Sequence, residues 1–171
     1  MIDEVAILGS TGSIGKSSLS VLSRNKNYKI KLLTTNKKGE KILNQAIKHN
    51  VKHVIIFDKK KFYKFRFKFK KKKINLYNDL NKINKIIKKK ISYTINAISG
   101  IDGLEPTLKC IPFTKNILIA NKESIICGWE LIEKKLKQFK TKFIPIDSEH
   151  FSIWNLINNE NIENISKIIL T

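Results

Sequence analysis

Apolar runs of four to six residues alternate with longer stretches in which Ile, Leu or Val recurs every third or fourth position, and the alternation repeats along most of the chain. The short runs predict strands at Val5–Leu8, Ile30–Thr34, His53–Phe57, Tyr93–Ala97, Asn116–Ala120, Lys142–Ile146 and Lys167–Thr171. Between them the spacing predicts helices over Ile14–Arg24, Lys38–His49, Asp79–Lys89, Leu104–Cys110, Ser124–Phe139 and His150–Leu156. Strands and helices in that order predict an α/β fold, a doubly wound, mostly parallel sheet with helices on both faces and right-handed crossovers.

One stretch breaks the alternation. Lys59–Lys73 holds ten basic residues in fifteen, with Phe62, Tyr63, Phe65, Phe67 and Phe69 interleaved. Its period of two predicts an edge strand whose aromatics face the core while its cations stay in water and discourage edge-to-edge pairing. Aromatics that stack on bases and cations that follow phosphates give a second reading, a nucleic-acid-binding module on the same scaffold. The solvated edge is preferred, because Lys and Arg outnumber Asp and Glu by 34 to 14 over the 171 residues and leave a formal charge of +20. A general surplus of Lys, Ile and Asn inflates charge without a nucleic-acid partner, so none is expected.

With 42% hydrophobic residues, three prolines and seven glycines, the composition is that of a globular protein. Cys110 and Cys127 stand apart from any CxxC or His pair, which excludes a disulfide framework and a zinc ribbon and fits a reducing compartment. The first strand follows Met1–Glu4 without a basic, then apolar, leader, and no apolar run reaches the roughly 18 residues of a bilayer span. A soluble intracellular protein with no membrane association is expected.

The loop Gly9-Ser10-Thr11-Gly12-Ser13-Ile14-Gly15 lies between the first strand and the first helix. Glycines there allow a tight turn and let backbone N–H groups approach a phosphate at the positive end of the helix dipole, as in a Rossmann-like nucleotide site. At the end of the second strand, where an NAD site places a carboxylate, the chain reads Thr34-Thr35-Asn36-Lys37-Lys38, an arrangement suited to the extra phosphate of NADP. Gly15-Lys16-Ser17 imitates the tail of a Walker A motif, but Ser10 stands where that motif needs glycine. Two further clusters sit at strand ends. In Ala120-Asn121-Lys122-Glu123-Ser124, Asn121 and Lys122 can face a cofactor or an anionic substrate, with Ser124 as helix N-cap, or the segment can be a simple capping turn. Asp147 and Glu149, two residues apart in Pro145-Ile146-Asp147-Ser148-Glu149-His150, can converge on a hard divalent cation such as Mg²⁺ or Mn²⁺, or serve as an N-cap and a first-turn acid. His49, His53 and His150 are expected to be structural.

In their order and spacing, the Gly9–Gly15 loop, Ala97-Ile98-Ser99-Gly100-Ile101-Asp102-Gly103-Leu104 with Pro106-Thr107-Leu108, Ala120–Ser124 and Pro145–His150 closely resemble the 1-deoxy-D-xylulose 5-phosphate reductoisomerase family, over its amino-terminal part only. The resemblance implies an NADPH-dependent oxidoreductase and isomerase of isoprenoid biosynthesis. Such an enzyme converts 1-deoxy-D-xylulose 5-phosphate to 2-C-methyl-D-erythritol 4-phosphate with a divalent metal, manganese or magnesium. It implies cofactor contacts from Thr11, Gly12, Ser13, Ile14, Lys37, Asn121 and Glu123, substrate contacts from Lys122 and Ser148, metal ligation by Asp147 and Glu149, and catalytic roles for Lys122 and Glu149. Residues 1–147 would be the NADPH-binding domain and 148–171 the start of a catalytic domain. The third carboxylate ligand, the substrate-phosphate loop and the lid of the family are missing, so the chain is expected to be a fragment inactive alone, cytoplasmic or in a plastid stroma. The full-length enzyme is expected to act on its phosphorylated sugar as a homodimer.

Overall fold

The computed structural model describes residues 2–158 and 160–169. Strands β1 (Asp3–Leu8), β2 (Tyr28–Thr35), β3 (His53–Ile56), β4 (Asn75–Tyr77), β5 (Ile91–Asn96), β6 (Thr114–Ile119) and β7 (Lys142–Pro145) form one sheet. Their order across it is β4-β3-β2-β1-β5-β6-β7, and every pairing is parallel. The helices are α1 (Ser13–Leu22), α2 (Gly39–Lys48), α3 (Lys59–Lys71), α4 (Ile83–Ile86), α5 (Leu104–Cys110), α6 (Lys122–Phe139) and α7 (Ser148–Ile157).

Strand β1 shows why its sequence is an unbroken apolar run. Val5 and Ile7 belong to one buried cluster with Leu33, Ile42, Val54 and Phe69. Ala6 and Leu8 belong to another, with Leu32, Ile55, Leu80 and Ile83. A strand covered on both faces has no polar side to alternate with, which is the signature of a parallel sheet between helical layers. A third cluster, Ile111, Ile117, Ile119, Ile132 and Leu136, packs α6 onto β6.

Three expectations are corrected. The lysine-rich segment is not an edge strand but helix α3, started by Asp58, whose carboxylate accepts the Lys61 N–H at 2.7 Å. Phe65 and Phe69, four apart, are buried, and Phe62 packs beside them, so the segment buries one helical stripe. The edge role passes to β4, a three-residue strand too short to stand out in the sequence. The helix expected over Asp79–Lys89 shrinks to the single turn α4. Asp79 diverts the backbone by accepting the Asn81 N–H at 2.8 Å, and Ile87, buried next to Ile86, is already extended toward β5. The strand expected at Lys167–Thr171 does not form over residues 167–169, and Leu170 and Thr171 lie outside the described residues.

Candidate nucleotide and cation site

Where the strand order of a parallel sheet reverses, the loops leaving the two central strands diverge and open a crevice at their carboxyl ends. Here those strands are β1 and β5. One cavity of about 940 Å³ is lined by Gly9, Thr11, Gly12, Thr35, Lys37 and Lys38 among others. Another, of about 380 Å³, is lined by Ile14, Asn121, Lys122, Asp147, Ser148 and Glu149 among others. Ala97, Ile98 and Ser99, just past β5, form a wall common to both.

Each glycine of the loop has its own reason. Gly9 sits at φ +78°, and a Cβ there would lie 2.7 Å from the Ala97 carbonyl oxygen. A Cβ on Gly15 would lie 2.5 Å from the Gly9 carbonyl oxygen, so this position lets α1 pack directly onto the turn. Gly12 differs: its backbone is extended (φ −75°, ψ −178°) and a Cβ would meet nothing closer than 3.4 Å. It is the N-cap of α1. Among the described residues no side chain caps that helix, and its first turn carries no acid. The unspent N–H groups and the helix dipole make this end of the cavity an anion cradle.

The loop is fastened to the second strand–helix unit. The Gly9 N–H donates to Thr34 Oγ1 (3.0 Å), and the Thr11 and Thr35 hydroxyls lie 2.7 Å apart. Ser10 Oγ donates to Gln45 Oε1 (2.9 Å) while Gln45 Nε2 donates to the Ser10 carbonyl (2.8 Å). Sequence reasoning missed Thr34, Thr35 and Gln45; two threonines closing an apolar strand were the available signal. Of the expected phosphate contacts, Thr11 and Gly12 line the larger cavity and Ile14 the smaller, and Thr11 spends its hydroxyl on Thr35. Ser13 is exposed at the first helical position and lines neither. Beside Lys37 and Lys38, Lys41 has its pKa lowered, first by desolvation and then by the charges of Lys16 and Lys38.

On the far side of β5, two asparagines hold the wall. Asn96 is fully buried and donates to the Gly103 carbonyl (2.9 Å) and Thr107 Oγ1 (2.6 Å). Nothing in the sequence singled it out except a polar residue ending an apolar strand. Asn121 donates through Nδ2 to the carbonyls of Ile98 and Gly100, leaving its buried Oδ1 without a partner among the described residues. Ser124 is not the expected N-cap: α6 begins at Lys122 with Asn121 as N-cap, and Ser124 is buried in its first turn beside Gly103. Glu123 lines the smaller cavity from the same turn.

At the end of β7, Asp147 caps α7. Its Oδ1 accepts the His150 N–H (3.0 Å) and lies 2.7 Å from His150 Nδ1, a partner the sequence did not disclose. Its Oδ2 is buried and unpartnered among the described residues, on a side chain only 9% exposed. Glu149 follows on the same wall, its pKa lowered first by the Ser148 hydroxyl (2.8 Å) and then by backbone hydrogen bonding and the Lys122 ammonium 3.7 Å away. A shielded, unsatisfied carboxylate oxygen beside a second ionised carboxylate fits a hard cation in charge and donor type. Among the described residues no group of three or more His, Cys, Asp and Glu gathers anywhere.

A glycine turn opening onto a helix with no side-chain cap, at the reversal of a wholly parallel sheet, defines a Rossmann-like domain, here with an acidic annex. Residues 5–128 match the family model of 1-deoxy-D-xylulose 5-phosphate reductoisomerase, and the chain belongs to that family. It is 51% identical to the 1-deoxy-D-xylulose 5-phosphate reductoisomerase of Pelagibacter ubique, over 98% of this chain and 44% of that protein. With the Wolbachia pipientis enzyme it shares 35% identity over 98% of this chain and 43% of the relative. The chain thus spans less than half the length of these relatives. Among solved structures, the Zymomonas mobilis reductoisomerase in complex with NADPH superposes with a TM-score of 0.79 at 28% identity, covering 88% of this chain and 40% of that one. A DOX-P reductoisomerase in complex with NADPH, fosmidomycin and magnesium gives 0.81 at 29% identity, covering 90% and 38%. No helix among the described residues is long and apolar enough to cross a membrane.

Proposed function

We propose that residues 1–147 form the NADPH-binding domain of a 1-deoxy-D-xylulose 5-phosphate reductoisomerase, and that residues 148–171 begin its catalytic domain. The observation that carries this reading is the uncapped start of α1, opening at Gly12 into a cavity whose opposite rim holds Lys37 and Lys38. The first-turn N–H groups would take the pyrophosphate, and the lysines the adenosine 2′-phosphate. Thr34, Thr35 and Gln45 would hold the turn in place, while the Ala97–Ser99 wall and Asn121 keep the two cavities adjacent.

In the smaller cavity Asp147 Oδ2 and a Glu149 oxygen would hold a divalent cation, with Lys122 and Ser148 facing the phosphorylated sugar. When bound, the nicotinamide supplies a hydride and the cation supplies Lewis acidity at substrate oxygens. Among the described residues the acidic wall offers two carboxylates, and water and substrate oxygens would add to them in holding the cation. The bacterial relatives support a bacterial cytoplasmic location, and a homodimer is our reading for the full-length enzyme.

Titrating the folded chain with NADPH and NADH, followed by calorimetry, tests the cofactor reading. Saturable NADPH binding about tenfold or more tighter than NADH is expected, with the gap closing in Lys37→Glu/Lys38→Glu, because a carboxylate there repels the extra phosphate. Equal affinities would remove the 2′-phosphate assignment. For the cation, Asp147→Asn keeps a good N-cap while losing the charge. Mn²⁺ binding, read from the electron paramagnetic resonance of the free ion, should weaken about tenfold or more. Undiminished Mn²⁺ binding would place the cation elsewhere.

A further inference from the structure

We propose that the outward face of α3 binds single-stranded nucleic acid. As an edge strand, the lysine-rich segment would have used its aromatics as core; as a helix it leaves two of them in water. Tyr63 is 63% and Phe67 71% exposed, while Phe65 and Phe69 are buried. Tyr63 and Phe67 stand one turn apart in a single i, i+4 row, about 6 Å along the axis. Lys60, Lys64, Lys68 and Lys72 form a row at the same spacing on one side, and Lys59, Arg66 and Lys70 flank the other. The Arg66 guanidinium lies 5.4 Å over the Phe67 ring. Among the described residues, Lys68 with Glu40 is the one ion pair formed by these cations.

Like charges repeated at i, i+4 destabilise a helix, so the face carries an unmet demand for anions. Rings set between two rows of cations match a strand of bases whose phosphates run alongside. A bilayer fits less well. An interfacial helix puts its apolar residues on one face and its cations on the other, whereas the apolar stripe of α3 is already spent on the core and its exposed rings stand among the cations.

Fluorescence anisotropy of the full chain with a labelled oligothymidylate of about 15 nucleotides reads this directly. Saturable binding that falls steeply with salt is expected. Tyr63→Ala/Phe67→Ala removes no charge and leaves the buried Phe65 and Phe69 in place, although Tyr63 meets the Phe62 ring edge-on at 5.2 Å, so its folding is checked by circular dichroism; it should weaken binding about tenfold or more. Lys60→Glu/Lys64→Glu should weaken it further and flatten the salt dependence. NADPH affinity should be unchanged in both, which separates this site from the cofactor cavity. Absence of saturable binding overturns the proposal, as does equal binding by the aromatic variant, which would reduce the face to an ion exchanger. Tighter, ring-dependent capture by phosphatidylglycerol vesicles would overturn it in favour of a membrane surface.

Discussion

Gly12→Asp is expected to lower NADPH affinity about a hundredfold or more, equivalent to roughly 2.7 kcal/mol, while the chain melts no lower than the unaltered protein. The two halves of this result have separate causes. The fold does not need glycine at this position, because the backbone is extended and a Cβ would find its nearest neighbour at 3.4 Å. Aspartate is a preferred N-cap, and its charge suits the helix dipole, so α1 should gain about 0.5–1 kcal/mol. That gain comes from filling the cradle. The new carboxylate takes the first-turn N–H groups and repels the pyrophosphate that would bind them. Calorimetric titration and a thermal scan of the same sample give both numbers. Retained affinity would mean that the cofactor phosphates lie away from α1.

Gly15→Ala should do the opposite to the fold. A methyl group there would meet the Gly9 carbonyl oxygen at 2.5 Å and the Ser10 Cα at 2.6 Å, and backbone atoms cannot rotate aside as a side chain does. Forcing α1 away from the turn is expected to cost about 1–3 kcal/mol, which lowers the melting temperature by several degrees in a domain of this size. NADPH affinity should fall with it, since the displaced helix start is the cradle itself. A Gly15→Ala chain that melts like the unaltered protein would show that helix and turn are less tightly packed than these distances require. Together the two variants separate a glycine kept for its ligand from a glycine kept for its fold.

Six of the seven expected strands were legible, because a strand buried on both faces is an apolar run that no solvated element imitates. β4 was not, being three residues beside a cationic stretch. The error at α3 has a definite cause: aromatics at 63, 65, 67 and 69 have the period of a strand, and only burial reveals that 65 and 69 alone carry the helical stripe. In the site, sequence order placed the glycine loop and the Asn121–Glu123 and Asp147–Glu149 clusters at strand ends. Nothing in one dimension shows that Asn121 would spend its amide on two carbonyls, or that Asp147 would divide its oxygens between a helix cap and an empty-handed, buried position. Such assignments depend on partners far along the chain.

The two margins of the sheet bear on how the molecule behaves in a concentrated solution. β4 offers three residues and β7 four, the last of them Pro145, which has no N–H to donate. A neighbouring molecule seeking to extend the ladder finds a foothold of only a few amides at either side, which is how natural sheets resist end-to-end growth. Crowding should therefore tax this protein less through fibril-like stacking than its long parallel sheet would suggest.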